Sequence, residues 1–163
     1  MNSMIQRYVT QNFMTEEQGN YIEEAIMRKE SVVVSGHRSA GIRPLMAALM
    51  GVAKGSFSSV QVKGFEDLEK ETEFFLIPGI DGIDFEKLIG EAIAVPNTPF
   101  ISLKEPEHPV SIMKVMKANF KQGKGINKKV HTLECIKVDG VPVLDKITEM
   151  HINENGKVVK TDF

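Results

Sequence analysis

The residues with the sharpest chemical implication lie in the run SVVVSGHRSAGIRPLMAALM, Ser31 to Met50. An apolar strand (Val32, Val33, Val34) leads into Gly36, Gly41 follows, and Pro44 is expected at the first position of a helix. A glycine-bounded turn between a strand and a helix can cradle phosphate. Glycine torsions let backbone N–H groups converge, and the helix start adds the positive end of its dipole. In GxxxxGK[ST] loops the next two residues are a lysine for the β/γ-phosphates and a hydroxyl for Mg²⁺. This chain has Ile42 and Arg43 there. An aliphatic side chain cannot neutralise phosphate, and a guanidinium repels a metal ion. Gly36, His37, Arg38, Ser39, Ala40, Gly41, Ile42 and Arg43 therefore read as a phosphate loop that has kept its frame and lost its ligands. The frame alone predicts a cradle that an anion could enter. Arg38 or Arg43 could clamp a phosphate bidentately, or could be solvated loop arginines.

The elements around this loop predict an α/β chain. Thr15 with Gln18 forms a capping box ahead of a helix carrying Tyr21, Ile22, Ala25 and Ile26 on one face. The continuous apolar run Ser31 to Ser35 is that of a central strand buried on both faces. Leu45, Ala48, Leu49 and Val52 continue the next helix to about Gly55. Strands follow around Val60–Val62 and Glu73–Ile77. Asp84 then caps a helix with Phe85, Leu88, Ile89, Ala92 and Ile93 on its apolar face. After a strand at Phe100–Leu103, Pro109 is expected to open a helix bearing Ile112, Met113, Met116 and Phe120. From Lys129 the pattern changes to Val, Ile and Thr runs separated by Asp139-Gly140 and Asn155-Gly156, which predicts two hairpins. Glu66, Asp67 and Glu105 read as charged caps at strand ends, and EDLEKETE as an exposed helix face.

Composition narrows the function classes. The 163 residues fit one domain, 1–163, with 1–14 as an N-terminal extension and 129–163 as a β-hairpin extension. A net charge of −2 with Lys and Arg spread along the chain gives no footprint for duplex nucleic acid, which is not expected as a partner. The apolar runs are too short to span a bilayer, and MNSMIQRYVTQNF has no signal-type core, so a cytoplasmic location is expected. Cys135 stands alone. His37, His108, His131 and His151 are too dispersed to read as a metal-ligand pair on one element. Lys121, Lys124, Lys128 and Lys129 cluster around a glycine-rich connection that could meet acidic lipid or a partner.

The order of these pieces resembles the RecA-type core of the type II/type IV secretion and conjugation ATPases across residues 15–152. SGHRSAGIRPLMAAL is similar to that family's SGxTGSGKTTLLxAL without its Lys and Thr. Phe65, Glu66, Asp67 and Leu68 resemble its acidic IEDxxEL segment. Ile101 to Glu105 sit where it has a Walker B strand, with Lys104 in place of the glycine. Val130, His131, Leu133, Glu134, Asp139, Gly140, Ile147, Thr148 and Glu149 follow its VxHLERLxDGxRxVTEI run. The resemblance implies a three-layer RecA-like P-loop fold, a mostly parallel central sheet and an antiparallel C-terminal hairpin extension. It places Glu66 and Glu105 beside the nucleotide. Most of what that family carries between Walker B and its closing segment has no counterpart before Lys129, and its N-terminal domain is not matched either.

With Ile42 and Arg43 at the two chemical positions, the expected function is that of a catalytically inactive pseudo-ATPase acting as a binding or regulatory module. No catalytic residue, metal or resident cofactor is expected, ATP, ADP or an anion at the degenerate loop being the exception. A protein partner or self-association is expected. The alternatives are a weakly active ATPase with a variant loop, using Glu105 or Glu66 to polarise water, and a structural self-assembling unit.

Overall fold

A computed structural model describes all residues, 1–163. Helices α1 (Ser3–Thr10) and α2 (Glu16–Met27) precede strand β1 (Ser31–Ser35), which enters helix α3 (Ile42–Ser56) through a 3-10 turn at Arg38–Ala40. Strands β2 (Ser59–Gln61) and β3 (Phe74–Leu76) flank a second 3-10 turn, Phe65–Glu69. Helix α4 (Phe85–Ala94), strand β4 (Phe100–Lys104) and helix α5 (Ile112–Phe120) follow, and strands β5 (Val130–Val138), β6 (Val141–Ile152) and β7 (Val158–Asp162) end the chain.

The strands form one seven-stranded sheet in the order β2-β3-β4-β1-β5-β6-β7. From β2 to β5 every neighbour is parallel, and β6 and β7 continue it antiparallel. The apolar run of β1 thus lies mid-sheet, and its alternation sorts the core. Val32 and Val34 face Ile5 of α1, Ile22 and Ile26 of α2, and Leu45 and Leu49 of α3. Val33 faces Leu88 and Ile89 of α4 and Val115 and Met116 of α5. Helices cover both faces because parallel strands need crossover connections.

Several boundaries differ from the sequence reading. Helix α3 starts two residues before Pro44, at Ile42, with Gly41 as its cap; a proline in the first turn forfeits no helical hydrogen bond. Helix α5 starts at Ile112 behind the Ser111 cap rather than at Pro109, because Glu105 and His108 exchange backbone hydrogen bonds in a tight turn that holds this segment out of the helix. The segment after β2 forms a short 3-10 turn, drawn tight by Asp67, which accepts from the Lys63 and Gly64 amides and from Lys70. The Lys70 ammonium and those amides hold the Asp67 carboxyl at about 2. Residues 1–14 carry α1 and contribute Ile5, Phe13 and Met14 to the core.

Polar anchors fix the helices at the N-terminal ends of the parallel strands. The Lys128 ammonium donates to the Ala92, Val95 and Thr98 carbonyls at 2.9, 2.7 and 2.7 Å, satisfying the open C-terminus of α4. His131 on β5 bridges α2 to the sheet: its Nδ1 accepts from the Tyr21 hydroxyl at 2.7 Å, and its Nε2 donates to Glu30 at 2.7 Å. Burial pushes the His131 imidazole below its ordinary value against the opposing pull of Glu30 and Glu149, while Arg28 nearby adds to the lowering. The unfolded chain therefore takes up this proton first as pH falls. The contribution is fully present above the free-histidine value of about 6.5 and is lost below it. The melting temperature should fall between about pH 7.5 and pH 5.5, and His131→Gln should flatten that slope while lowering stability at the upper pH, both read by circular dichroism.

Candidate functional site

The C-terminal ends of parallel strands form the crevice in which open α/β sheets hold ligands, and β1 and β4 end there side by side. Gly36 leaves β1 with φ +149°, and a Cβ on it would lie 2.5 Å from the Cys135 carbonyl, so only glycine lets the chain turn so close to β5. The loop then closes on itself. The Ser39 amide donates to His37 Nδ1 at 3.1 Å, Ala40 to the His37 carbonyl at 2.9 Å and Gly41 to the Arg38 carbonyl at 3.4 Å. In place of the expected open cradle stands a 3-10 turn in which the amides of Ser39, Ala40 and Gly41 are satisfied internally. Its methyl group Ala40 and the first helical side chain, Ile42, point into the core and are buried. His37, Arg38 and Ser39 are exposed, and His37 also meets the Ser39 hydroxyl at 2.8 Å.

Arg43 turns the other way. Its Nε donates to Glu105 Oε1 at 3.0 Å and its Nη2 to Oε2 at 2.7 Å, a bidentate pair between the first turn of α3 and the end of β4. The Glu105 side chain is 0% exposed and that of Arg43 41%. Glu105 Oε2 also meets His108 Nδ1 at 2.6 Å, and His108 Nε2 meets Asp81 Oδ1 at 2.9 Å. Asp81 belongs to the connection between β3 and α4 and is almost fully exposed, so the hydrogen-bonded chain Arg43, Glu105, His108 and Asp81 runs from the buried strand end to solvent. Phe85 packs against the His108 ring edge, with centroids 5.2 Å apart, and Gly79 makes room for it, since a Cβ there would lie 2.8 Å from Nδ1. A cavity of about 340 Å³ opens beside His108, lined by Asp81, Glu107 and Pro109.

Burial works to raise the Glu105 carboxyl, but the hydrogen bonds from Arg43 and His108 outweigh it and hold the group below its ordinary value. The same pairing raises the Arg43 guanidinium. Both carboxylate oxygens are occupied, which makes Glu105 a clamp rather than a free base. The arrangement ties α3, β4 and the β3–α4 connection together and leaves one exposed edge of a guanidinium for an incoming anion.

Arg43 and Glu105 are therefore brought together, whereas Glu66 is not. It lies exposed at the opposite end of the sheet, in a cleft of about 1290 Å³ between Ser31, Pro99 and Lys129. His108 and Asp81 were not singled out as site residues in the sequence. The available signal was the spacing Glu105-Pro-Glu-His108, a turn that folds two titratable side chains onto one another. No group of three or more His, Cys, Asp or Glu is placed to hold a metal. Neither family models nor curated proteins give a match to the chain.

Removing the guanidinium should leave Glu105 buried without a cationic clamp. Because its carboxyl is held below the ordinary value, its contribution is present above about pH 4.5 and is lost as pH falls through that value and the lower folded one. Arg43→Met should move the acid-unfolding midpoint upward by about one pH unit. Adding Glu105→Gln should reverse part of that shift, both followed by far-ultraviolet circular dichroism.

Proposed function

We propose that the chain is a catalytically inactive RecA-like module, related to the secretion and conjugation ATPases, which works by binding a partner rather than by turning over nucleotide. The observation that carries this reading is the bidentate Arg43–Glu105 pair. A phosphate loop needs a cation free to follow charge onto the β/γ-phosphates and a carboxylate free to orient water or hold Mg²⁺. Here the cation of the helix's first turn, Arg43, and the carboxylate at the strand end, Glu105, neutralise each other, while Arg38 lies exposed in the turn before the helix. Further support comes from β1 lying between β4 and β5 in the parallel part of the sheet, with the glycine loop and α3 directly after it. The internal closure of the loop at Ser39, Ala40 and Gly41 leaves fewer backbone donors for a phosphate. Loss of such electrostatic groups costs several kcal/mol of transition-state stabilisation, on the order of a hundredfold to a thousandfold in rate for each group.

Calorimetric titration of ATP or ADP, with and without Mg²⁺, should give no saturable heat at nucleotide concentrations up to about 1 mM, a free energy of binding weaker than about −4 kcal/mol. Phosphate release should stay at background. Mg²⁺-dependent binding, or release of phosphate that disappears in Glu105→Gln, would replace this reading with that of an active variant-loop ATPase.

A further inference from the structure

Two helices on opposite faces of the sheet carry opposite charge. Helix α2, on the face of Val32 and Val34, carries Glu16, Glu17, Glu23 and Glu24 and no Lys or Arg. Helix α5 and the turn after it, on the face of Val33, carry Lys114, Lys117, Lys121 and Lys124, and there is no Asp or Glu from Pro109 to Leu133. Lys114 meets Glu86 at 3.1 Å, while Lys117, Lys121 and Lys124 have no carboxylate within reach. On α2, Glu16 and Glu17 are equally unpaired, and Glu24 touches only Arg28 at 4.0 Å. The stripes also match in length. Glu17 and Glu24 are two helical turns apart, as are Lys114 and Lys121, about 10 Å in each case. Each stripe ends on an exposed methionine, Met27 (50% exposed) on α2 and Met113 (39%) on α5.

We propose that these stripes are the two halves of one interface, with α2 of one copy docking on α5 of a second copy. Antiparallel docking of the helices sets Glu24 and Glu17 against the lysines and brings Met27 beside Met113. The two helices lie on opposite faces of one sheet, so a molecule cannot close the pair on itself. The contact is therefore heterologous and adds copies in series. Undocked, the lysines of α5 hold like charges at helical neighbour spacing, Lys114 to Lys117 and Lys117 to Lys121, which is unfavourable; docking sets carboxylates against them. A second copy fits better than an anionic membrane. Complementary charge is present on the chain itself, four glutamates on α2 against four lysines, and the exposed apolar side chains beside those lysines are Met113 and Ile126, too few to anchor in a bilayer. A net charge of −2 leaves little long-range repulsion between copies. This inference is independent of whether the loop at Gly36–Gly41 binds nucleotide.

Sedimentation velocity on the full chain tests it. The weight-average mass should rise with protein concentration at about 20 mM salt and return to that of the monomer at about 500 mM, where screening is short-ranged. Lys117→Glu with Lys121→Glu, and separately Glu17→Lys with Glu24→Lys, should each weaken association at low salt by about tenfold or more, equivalent to 1.4 kcal/mol. Circular dichroism would confirm that these exposed substitutions leave the fold intact. An equimolar mixture of the two variants should associate again, because each restores the charge that the other has lost. A monomer at all concentrations in low salt would overturn the proposal, as would association indifferent to the substitutions or a mixture that stays monomeric. Co-sedimentation of a monomeric chain with phosphatidylserine vesicles would assign α5 to a lipid surface instead.

Discussion

A carboxylate withdrawn from solvent at the end of a central strand must be neutralised where it stands, and much of this molecule's upper end is arranged around doing so for Glu105. Its two oxygens are met by the fork of Arg43 and by His108. The Arg43 contact ties the first turn of α3 to the end of β4. The His108 contact sets the turn after β4, and through Asp81 it positions the connection from β3 to α4. Two glycines follow from the same crowding: Gly36 admits the loop beside Cys135, and Gly79 admits the imidazole. Ion pairs of this kind add less stability than their geometry suggests, since desolvation offsets much of the attraction. What this pairing does is tie α3, β4 and the β3–α4 connection to one another at the buried charge.

The lower end follows the same logic with different groups. Parallel strands leave helix termini facing the strand starts, and those termini expose unpaired carbonyls. Lys128 answers this for α4 by donating three hydrogen bonds. For α2 the amides of Arg28, Lys29 and Glu30 answer it by donating to the Glu24, Ile26 and Ala25 carbonyls, while Tyr21, His131 and Glu30 fix the helix to β5. No buried side-chain nitrogen or oxygen is left without a partner. Polar groups thus set register and docking, while two apolar layers supply the bulk of the driving force.

Features encoded locally were legible in the sequence. The Thr15 capping box, the Asp84 cap, the Val32–Val34 core strand and the two glycine turns of the C-terminal hairpins are each spelled by a few adjacent residues, and each forms. The mostly parallel sheet with its antiparallel extension follows from them. What could not be read was partnership across the chain. Nothing near Arg43 announces that Glu105, 62 residues away, will meet it, and nothing near Ile42 announces that its side chain turns into the core. Helix α1 was not read although Ile5, Tyr8 and Val9 recur at helical spacing, because eight residues make a short helix and Tyr8 and Val9 are only half-buried. The starts of α3 and α5 were displaced because a proline fixes φ wherever it falls in a first turn or just before one, and so marks a neighbourhood rather than a position.

The joint between the first residues and the last strands has a consequence for how the chain is made. Strand β7 pairs only with Thr148 to Ile152, leaving the earlier half of β6 beyond its reach. At Leu144 that open edge is closed by the N-terminal segment: the Leu144 amide donates to the Phe13 carbonyl at 2.8 Å, and Gln18 donates to the Leu144 carbonyl. Strand β6 is thus sealed by residues that lie far before it in the chain. During translation those residues emerge with no edge to cap until β6 has followed them. Such distant pairings slow folding, and while the seal is open β6 offers a strip of free backbone groups to any other extended chain. The segment before α2 is therefore a guard against intermolecular strand pairing, and losing it would show first as aggregation during refolding.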